Sequence, residues 1–291
     1  MATAKSILLK SSASREAVSV MGRAGYGARG AIYLMVGISA GRATLDPHHP
    51  PGGFTESLKL FQHHWSGGIV LALLAIGMAC FASWLAVSAV YRRDHPGPAH
   101  WVLVAGLLGD ACIYLGFMAS VLGMIFGAWG GGGSEHLLQE WVRWLVAGLG
   151  GRALVGLVGA GVFACGAGLV WWGGVGDIEG PLELPPVEKR LMLPIGRYGT
   201  GGRGVAIALV GFYLFLSAIQ GDASRAHELG GALNDLRALP YGVAMTGAFA
   251  LAFIGSSVLD FAIASFRRFD PGRAPARKRR RRRGSTRRSS G

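Results

Sequence analysis

The segment GRAGYGARG at residues 22–30 recurs as GRYGTGGRG at residues 196–204, with six of the nine residues identical. Both copies follow the pattern Gly-Arg-x-Gly-x-Gly-x-Arg-Gly, and a Val-Gly pair continues the register at 36–37 and 210–211. A long internal repeat of this kind indicates a chain built from copies of one structural unit. The repeated residues are Gly22, Arg23, Gly25, Gly27, Arg29 and Gly30 in the first copy and Gly196, Arg197, Gly199, Gly201, Arg203 and Gly204 in the second.

A third, more divergent copy lies between these two. Residues 112–115 read Cys-Ile-Tyr-Leu and align with Ala-Ile-Tyr-Leu at 31–34, and in this register Asp110 takes the position of Arg29 and Arg203. The ends of the units also match, because YRRDHPG at 91–97 resembles FRRFDPG at 266–272. We therefore predict three units, each of about 75 residues.

The composition places these units in a membrane. Hydrophobic residues make up 51% of the 291 residues and charged residues only 15%, whereas an ordinary soluble domain has about 25% charged residues. The mean hydropathy is +0.39. These values exclude an ordinary soluble enzyme and an intrinsically disordered chain. An integral membrane protein is the class that fits.

Five stretches are apolar over about the 20 residues that a spanning helix needs. They are 60–91, 111–134, 153–176, 204–221 and 238–259. The second of them is predicted to start earlier, near Trp101, and so to include Asp110. A sixth stretch, 31–41, is short, but the repeat makes it equivalent to the apolar stretch that follows residue 203. We predict an all-α fold, an integral membrane helical bundle of six transmembrane helices built from three two-helix repeats.

The predicted organisation follows from the repeat ends and the charge distribution. It comprises a cytoplasmic N-terminal segment (1–21), repeat 1 (22–94), repeat 2 (95–178), a linker (179–194), repeat 3 (195–268) and a disordered polybasic C-terminal tail (269–291). Of the 29 Lys and Arg residues, 23 lie on the side of the two termini. By the positive-inside rule we expect a multi-pass protein of the plasma membrane with both termini cytoplasmic.

Within each unit, the connection between the spans has the spacing of a short amphipathic helix. Such helices either lie at the membrane surface or plug one end of the bundle. The predicted apolar faces are Phe54, Leu58 and Phe61; Leu137, Trp141, Trp144 and Leu145; and Leu229, Ala232, Leu233 and Leu236.

Small residues recur every four positions in several spans, as in Gly156, Ala160, Ala164 and Gly168. This spacing lets membrane helices approach closely. It predicts tight packing, either within the bundle or between protomers.

The paired-span units that open with Gly-Arg-x-Gly-x-x-x-Arg-Gly-like segments resemble the prokaryotic membrane proteins grouped under domain of unknown function 1206. The resemblance covers residues 22–268 and is good in the first and third copies. The middle copy has Asp110 where Arg is expected and lacks the Gly-Arg opening. The resemblance implies a three-repeat, six-span fold and supplies no catalytic residues.

Four ionisable residues fall at membrane depth: Arg29, Asp110, Arg203 and Asp260. A charge at the bilayer centre costs about 2.5–3.5 kcal/mol or more, so such groups are expected to pair. One reading is an intramembrane ion-pair network that holds the three units in register. The alternatives are a substrate or proton pathway through the same residues and simple snorkelling of the arginines to the headgroups.

No motif makes a convincing catalytic, cofactor or metal site. Gly25-x-Gly27-x-x-Gly30 and its copy at 199–204 match a dinucleotide fingerprint but follow no strand, so they are interpreted as close-packing glycines at a helix start. Gly-x-Ser39-x-Gly matches a nucleophile elbow, but none of the eight histidines lies within the apolar core of a predicted span, where it could act as the base. The adjacent pairs at 48–49 and 63–64 lack an acidic partner for a metal. We expect no enzyme, no cofactor and no metal.

The tail contains an unbroken basic run, Arg277, Lys278, Arg279, Arg280, Arg281, Arg282 and Arg283. Beside a cytoplasmic membrane surface it is expected to contact anionic lipid headgroups. Nucleic acid would attract it for the same electrostatic reason, but no aromatic residue follows residue 269, so sequence-specific nucleic-acid binding is not expected.

Two functions stay open at this stage. The first is a non-enzymatic membrane scaffold or interaction protein with an unidentified protein partner, embedded in the lipid bilayer. The second is a small transporter or channel with a path lined by Arg29, Asp110, Arg203 and Asp260. The two differ in whether water reaches these four groups.

Overall fold

The structure is a computed structural model that describes residues 12–46, 48–62, 67–92, 98–127, 134–148, 150–176 and 186–266. Within these ranges the chain is helical and contains no strand, which confirms the predicted all-α class. The helices are α1 (Ser12–Leu45), α2 (Phe54–Gln62), α3 (Gly67–Arg92), α4 (Pro98–Phe126), α5 (Ser134–Ala147), α6 (Gly151–Val175), α7 (Pro186–Gln220), α8 (Leu229–Arg237) and α9 (Gly242–Phe266).

Five helices are long and apolar enough to cross a membrane, so the chain is a helical membrane protein. The apolar segments are Gly67–Ala89, Gly106–Phe126, Gly151–Val175, Met192–Gln220 and Gly242–Phe266. Helix α1, which contains the predicted sixth span, is 34 residues long but is not among them. The six-span count therefore stays a prediction.

Several helices extend beyond the predicted boundaries. Helix α1 begins at Ser12, inside the segment predicted as N-terminal, and α7 begins at Pro186, inside the predicted linker. Helix α7 ends where Gly221 adopts a left-handed conformation with φ of 69°, which closes a helix at low steric cost. Residues 1–11, 177–185 and the polybasic tail lie outside the described residues.

The long helices pack as a row in the order α4, α3, α1, α9, α7, α6. The first unit (α1 and α3) and the third unit (α7 and α9) each form a packed pair, and α1 packs on α9 to join the two units. Helices α4 and α6 of the middle unit lie at opposite ends of the row, with no comparable packing between their described residues. The two helices predicted to form the middle unit are thus separated by the other four long helices.

Glycines set the close approach of α6 to α7. A Cβ added at Gly159, Gly166 or Gly173 would lie 2.4–2.8 Å from a backbone nitrogen of α7. The packed positions therefore recur every seven residues. Ala160, Ala164 and Gly168 of the predicted stripe are exposed, because they lie on a different face from the packed glycines. Packing of this stripe between protomers therefore stays a prediction.

Two of the amphipathic helices plug the bundle. Phe54 and Leu58 of α2 are buried, and the Phe54 ring stacks on Phe117 of α4 with centroids 4.3 Å apart. In α8, Ala232 and Leu233 are buried, and Leu233 packs in a cluster with Ala40 of α1. The predicted faces of both helices are confirmed at these residues.

Helix α5 differs from the other two. Its protein-facing residues are Leu138, Val142, Leu145 and Val146. Trp141 and Trp144 of the predicted apolar face are 63% and 71% exposed, so at these residues the face does not plug the bundle. Exposed tryptophans suit a membrane–water interface, where the ring contacts lipid and the indole N–H contacts water.

Candidate functional site

An ion pair joins the first unit to the third at the centre of the row. Arg29 of α1 donates from Nε to Oδ2 of Asp260 of α9 over 2.7 Å, and its Nη2 donates to Oδ1 of the same carboxylate. The Asp260 side chain is 2% exposed and that of Arg29 is 11% exposed. The pair is therefore bidentate and buried, the geometry in which an arginine and a carboxylate interact most strongly.

Aromatic rings enclose the guanidinium of Arg29. Its Cζ lies 4.6 Å from the centroid of the Tyr26 ring and 4.8 Å from that of Phe81. Tyr26 and Phe81 meet edge to face at 5.1 Å, and the Trp84 ring lies 5.3 Å from Tyr26. Ring faces attract cations and exclude water, so this shell stabilises the charge that Asp260 neutralises.

A second arginine lies beside the pair without a carboxylate of its own. Arg203 of α7 donates from Nη1 to the Tyr33 hydroxyl over 3.3 Å, and its Cζ lies 5.3 Å from the Tyr33 ring centroid. The Tyr33 hydroxyl is also 3.1 Å from that of Tyr114 on α4. Tyr33 and Tyr114 occupy equivalent positions in the first two repeat copies, so the repeat alignment corresponds to a contact in space.

Asp110 does not join the ion pair. It lies half-buried on α4, one turn before Tyr114, and forms no ion pair with any described residue. The four residues predicted as one network are thus one closed pair, Arg29 with Asp260, an adjacent arginine that contacts Tyr33, and a separate carboxylate.

The repeat-motif glycines lie in helix interiors, not at helix starts as the sequence suggested. Their close-packing role is confirmed at several positions. A Cβ on Gly25 would lie 2.7 Å from Phe81 Cα, one on Gly30 3.3 Å from Asp260 Cβ, and one on Gly199 2.5 Å from the Ser256 backbone nitrogen. Gly27 and Gly201 differ, because a Cβ at either position would meet nothing within 4 Å.

The remaining repeat-motif residues also have defined places. Gly204 packs on α6, where a Cβ would lie 2.7 Å from Gly166 O, and Gly196 packs on Leu259. Gly22 is buried. Arg23 and Arg197 are exposed, unlike Arg29 and Arg203.

The motif that resembles a nucleophile elbow lies inside a helix. Ser39 is in α1, and its Oγ accepts a hydrogen bond from the Gly52 backbone N–H over 3.2 Å. At the end of α1, Asp46 accepts from the His48 N–H and contacts the His49 ring, and these contacts hold the pKa of Asp46 below its usual value. Among the described residues, no group of three metal-ligating side chains is present.

The tyrosines and the aromatic shell were not predicted as site residues. The pairing of Tyr33 with Tyr114 was visible in the repeat alignment at 31–34 and 112–115. The enclosure of Arg29 by Tyr26 and Phe81 had no sequence signal, because it depends on the packing of α3 against α1.

Comparison with known proteins finds one family model that matches two separate parts of the chain. The family model described as Domain of Unknown Function (DUF1206) matches residues 24–92 and 198–267. The chain is also similar to Uncharacterized protein YxxB of Bacillus subtilis (strain 168), with 25% identity over 245 residues that cover 80% of this chain and 85% of that protein. No solved structure matches the chain significantly. The resemblance noted from the Gly-Arg copies is thus confirmed over residues 24–92 and 198–267, which match the DUF1206 family model.

Proposed function

We propose that this chain is a non-enzymatic membrane scaffold or interaction protein of the plasma membrane. The observation that carries the proposal is the enclosed Arg29–Asp260 pair, in which both charges serve to join two helices. A group on a transport pathway must meet water or solute, whereas this pair is surrounded by packed aromatic rings and by the glycines of its own helices.

The surface features of the bundle agree with this function. One shallow pocket lies between α6 and α7 and is lined by Arg152, Leu157 and Phe215 among others. Another lies beside the α5–α6 turn at Trp144. Neither touches any of the four ionisable residues singled out in the sequence, so neither offers them an opening to solvent.

The proposed partners follow from topology and charge. Both termini face the cytoplasm, and the basic run at 277–283, which lies outside the described residues, contacts anionic lipid headgroups. The tail binds no specific nucleic-acid sequence. A protein partner of the scaffold binds at its membrane or cytoplasmic surface.

A second candidate function, a small transporter or channel, is favoured by a specific observation. Arg203 and Asp110 both lack an ion pair among the described residues, and the hydroxyls of Tyr33 and Tyr114 lie between α7 and α4. A path for ions or protons requires polar groups that are not neutralised by one another, and these residues satisfy that condition.

Water accessibility distinguishes the two functions. We expect cysteines placed at Ile32, Val36 and Ala206, all at most 4% exposed, to resist a water-soluble thiol reagent in intact cells, after replacement of Cys80, Cys112 and Cys165. A cysteine at Ser224, which is exposed in the turn after α7, is the matched control and should label. Labelling of all three buried positions, blocked by a solute, would contradict the scaffold and support the transporter.

A further inference from the structure

The buried cluster at the centre of the row carries more positive than negative charge. It contains two guanidinium groups, those of Arg29 and Arg203, and arginine stays protonated in proteins. Among the described residues, the carboxylate in direct contact with these groups is Asp260, and both of its oxygens are bound by Arg29. Asp110 lies one turn before Tyr114 and forms no ion pair with a described residue. Arg203 therefore has no carboxylate in contact with it. An uncompensated charge at membrane depth is unfavourable, and an anion would relieve it.

Two polar atoms near this excess charge have no hydrogen-bond partner. Arg203 Nε and Ser256 Oγ are both buried, and neither is paired with any described residue. The one hydrogen bond of the Arg203 guanidinium, to Tyr33, is 3.3 Å long. A buried donor without a partner destabilises the folded state, so these groups indicate a ligand for them.

The two unpaired groups belong to helices α7 and α9, which meet one helical turn before Arg203. Gly199, one helical turn before Arg203, faces the Ser256 backbone so closely that a Cβ would lie 2.5 Å from its nitrogen. Ser256, which is 3% exposed, is one turn before Asp260 and therefore on the same side of α9. Arg203 of α7 and Ser256 of α9 are therefore each within about one helical turn of the contact between Gly199 and the Ser256 backbone.

This combination suits an anion better than a neutral ligand. The Nε–H of Arg203 and the hydroxyl of Ser256 can both donate to a single acceptor, and only a negatively charged acceptor also neutralises Arg203. We propose that Arg203 and Ser256 form a binding site for one small inorganic anion, such as chloride, at the seam between α7 and α9. This site goes beyond the proposed scaffold function and does not depend on it.

The test measures chloride-dependent stability. The full chain is reconstituted in nanodiscs of phosphatidylcholine, and its thermal midpoint is followed by tryptophan fluorescence as chloride replaces gluconate at constant ionic strength. We expect a saturable rise of about 2–4 °C, as binding to the folded state produces. Arg203→Gln should abolish the rise, and Ser256→Ala should weaken the apparent affinity about tenfold. Arg197→Gln, an exposed arginine on the same helix, is the matched control and should leave the rise intact.

A direct binding measurement keeps the proposal falsifiable if Arg203→Gln does not fold. The chloride NMR signal should broaden when the wild-type protein is added, and it should broaden much less when Ser256→Ala is added. A rise that persists unchanged in Arg203→Gln, or the absence of any chloride effect, would overturn the proposal. Stabilisation by phosphatidylglycerol in gluconate, with chloride silent, would also overturn it, because the anion would then be a lipid headgroup.

Discussion

Replacement of Asp260 by Asn is expected to lower the free energy of unfolding by about 3–5 kcal/mol. The change keeps the size of the side chain but removes the charge that neutralises Arg29. The guanidinium is then left buried among Tyr26 and Phe81 with no carboxylate to accept its two hydrogen bonds. Titration of the purified protein in micelles with a denaturing detergent, followed by tryptophan fluorescence, measures the loss.

Asp110→Asn is the matched control for this substitution. It makes the same chemical change in a membrane helix, but at a carboxylate that has no ion pair among the described residues. We expect a change of at most about 0.5 kcal/mol, the usual range away from specific interactions. Equal losses for the two variants would show that the effect does not arise from the ion pair.

Gly199→Ala is expected to destabilise the protein by about 1–3 kcal/mol or more. The added methyl group would lie 2.5 Å from the Ser256 nitrogen and 2.8 Å from the Gly255 carbonyl carbon. Both atoms belong to the α9 backbone, so a side-chain rotation cannot relieve the clash and the two helices must separate. The thermal midpoint in micelles should fall accordingly.

Gly201→Ala tests whether the clash or the loss of glycine matters. It lies two residues away in the same motif, and a Cβ there would meet nothing within 4 Å. Because alanine favours helix over glycine by up to about 1 kcal/mol, we expect a neutral or stabilising effect. A comparable loss of stability at both positions would contradict the packing assigned to the motif.

Much of the fold was predictable because it follows from local composition. Apolar stretches of sufficient length identified the five apolar helices, and the spacing of Phe54, Leu58, Ala232 and Leu233 identified the buried faces of α2 and α8. Helix α1 is an exception, because it is not apolar enough to be identified by its composition. Arg29 lowers the mean hydropathy of α1, although in the folded chain its charge is neutralised by Asp260, which is 231 residues away.

The arrangement of the units was less predictable. Three similar copies suggested three similar helix pairs, yet α4 and α6 of the middle unit lie at opposite ends of the row. Sequence similarity between the copies predicts where each helix lies in the chain. It does not predict which helices pack together, because that depends on the complementarity of their surfaces. On α6 the glycines that pack against α7 recur every seven residues and include Gly159 and Gly166. The small residues that recur every four positions in the sequence did not indicate which face of α6 packs against α7.

The candidate site was predicted in its residues but only partly in its contacts. The repeat placed Arg29 and Arg203 at equivalent positions, and the helix ends placed Asp260 in the same half of the membrane. Which arginine binds Asp260 depends on the close packing of α1 on α9, where a Cβ on Gly30 would lie 3.3 Å from the Cβ of Asp260. The pairing of Arg29 with Asp260 is therefore determined by the tertiary structure.

The most direct test of the account is a double-mutant cycle on Arg29→Gln and Asp260→Asn. If the two charges hold the first and third units together, the double variant should lose less unfolding free energy than the two single losses combined. We predict a coupling of about 2 kcal/mol or more, because each single variant leaves one buried group without its partner. Strictly additive losses, with no coupling, would contradict the central claim that this enclosed ion pair joins the units.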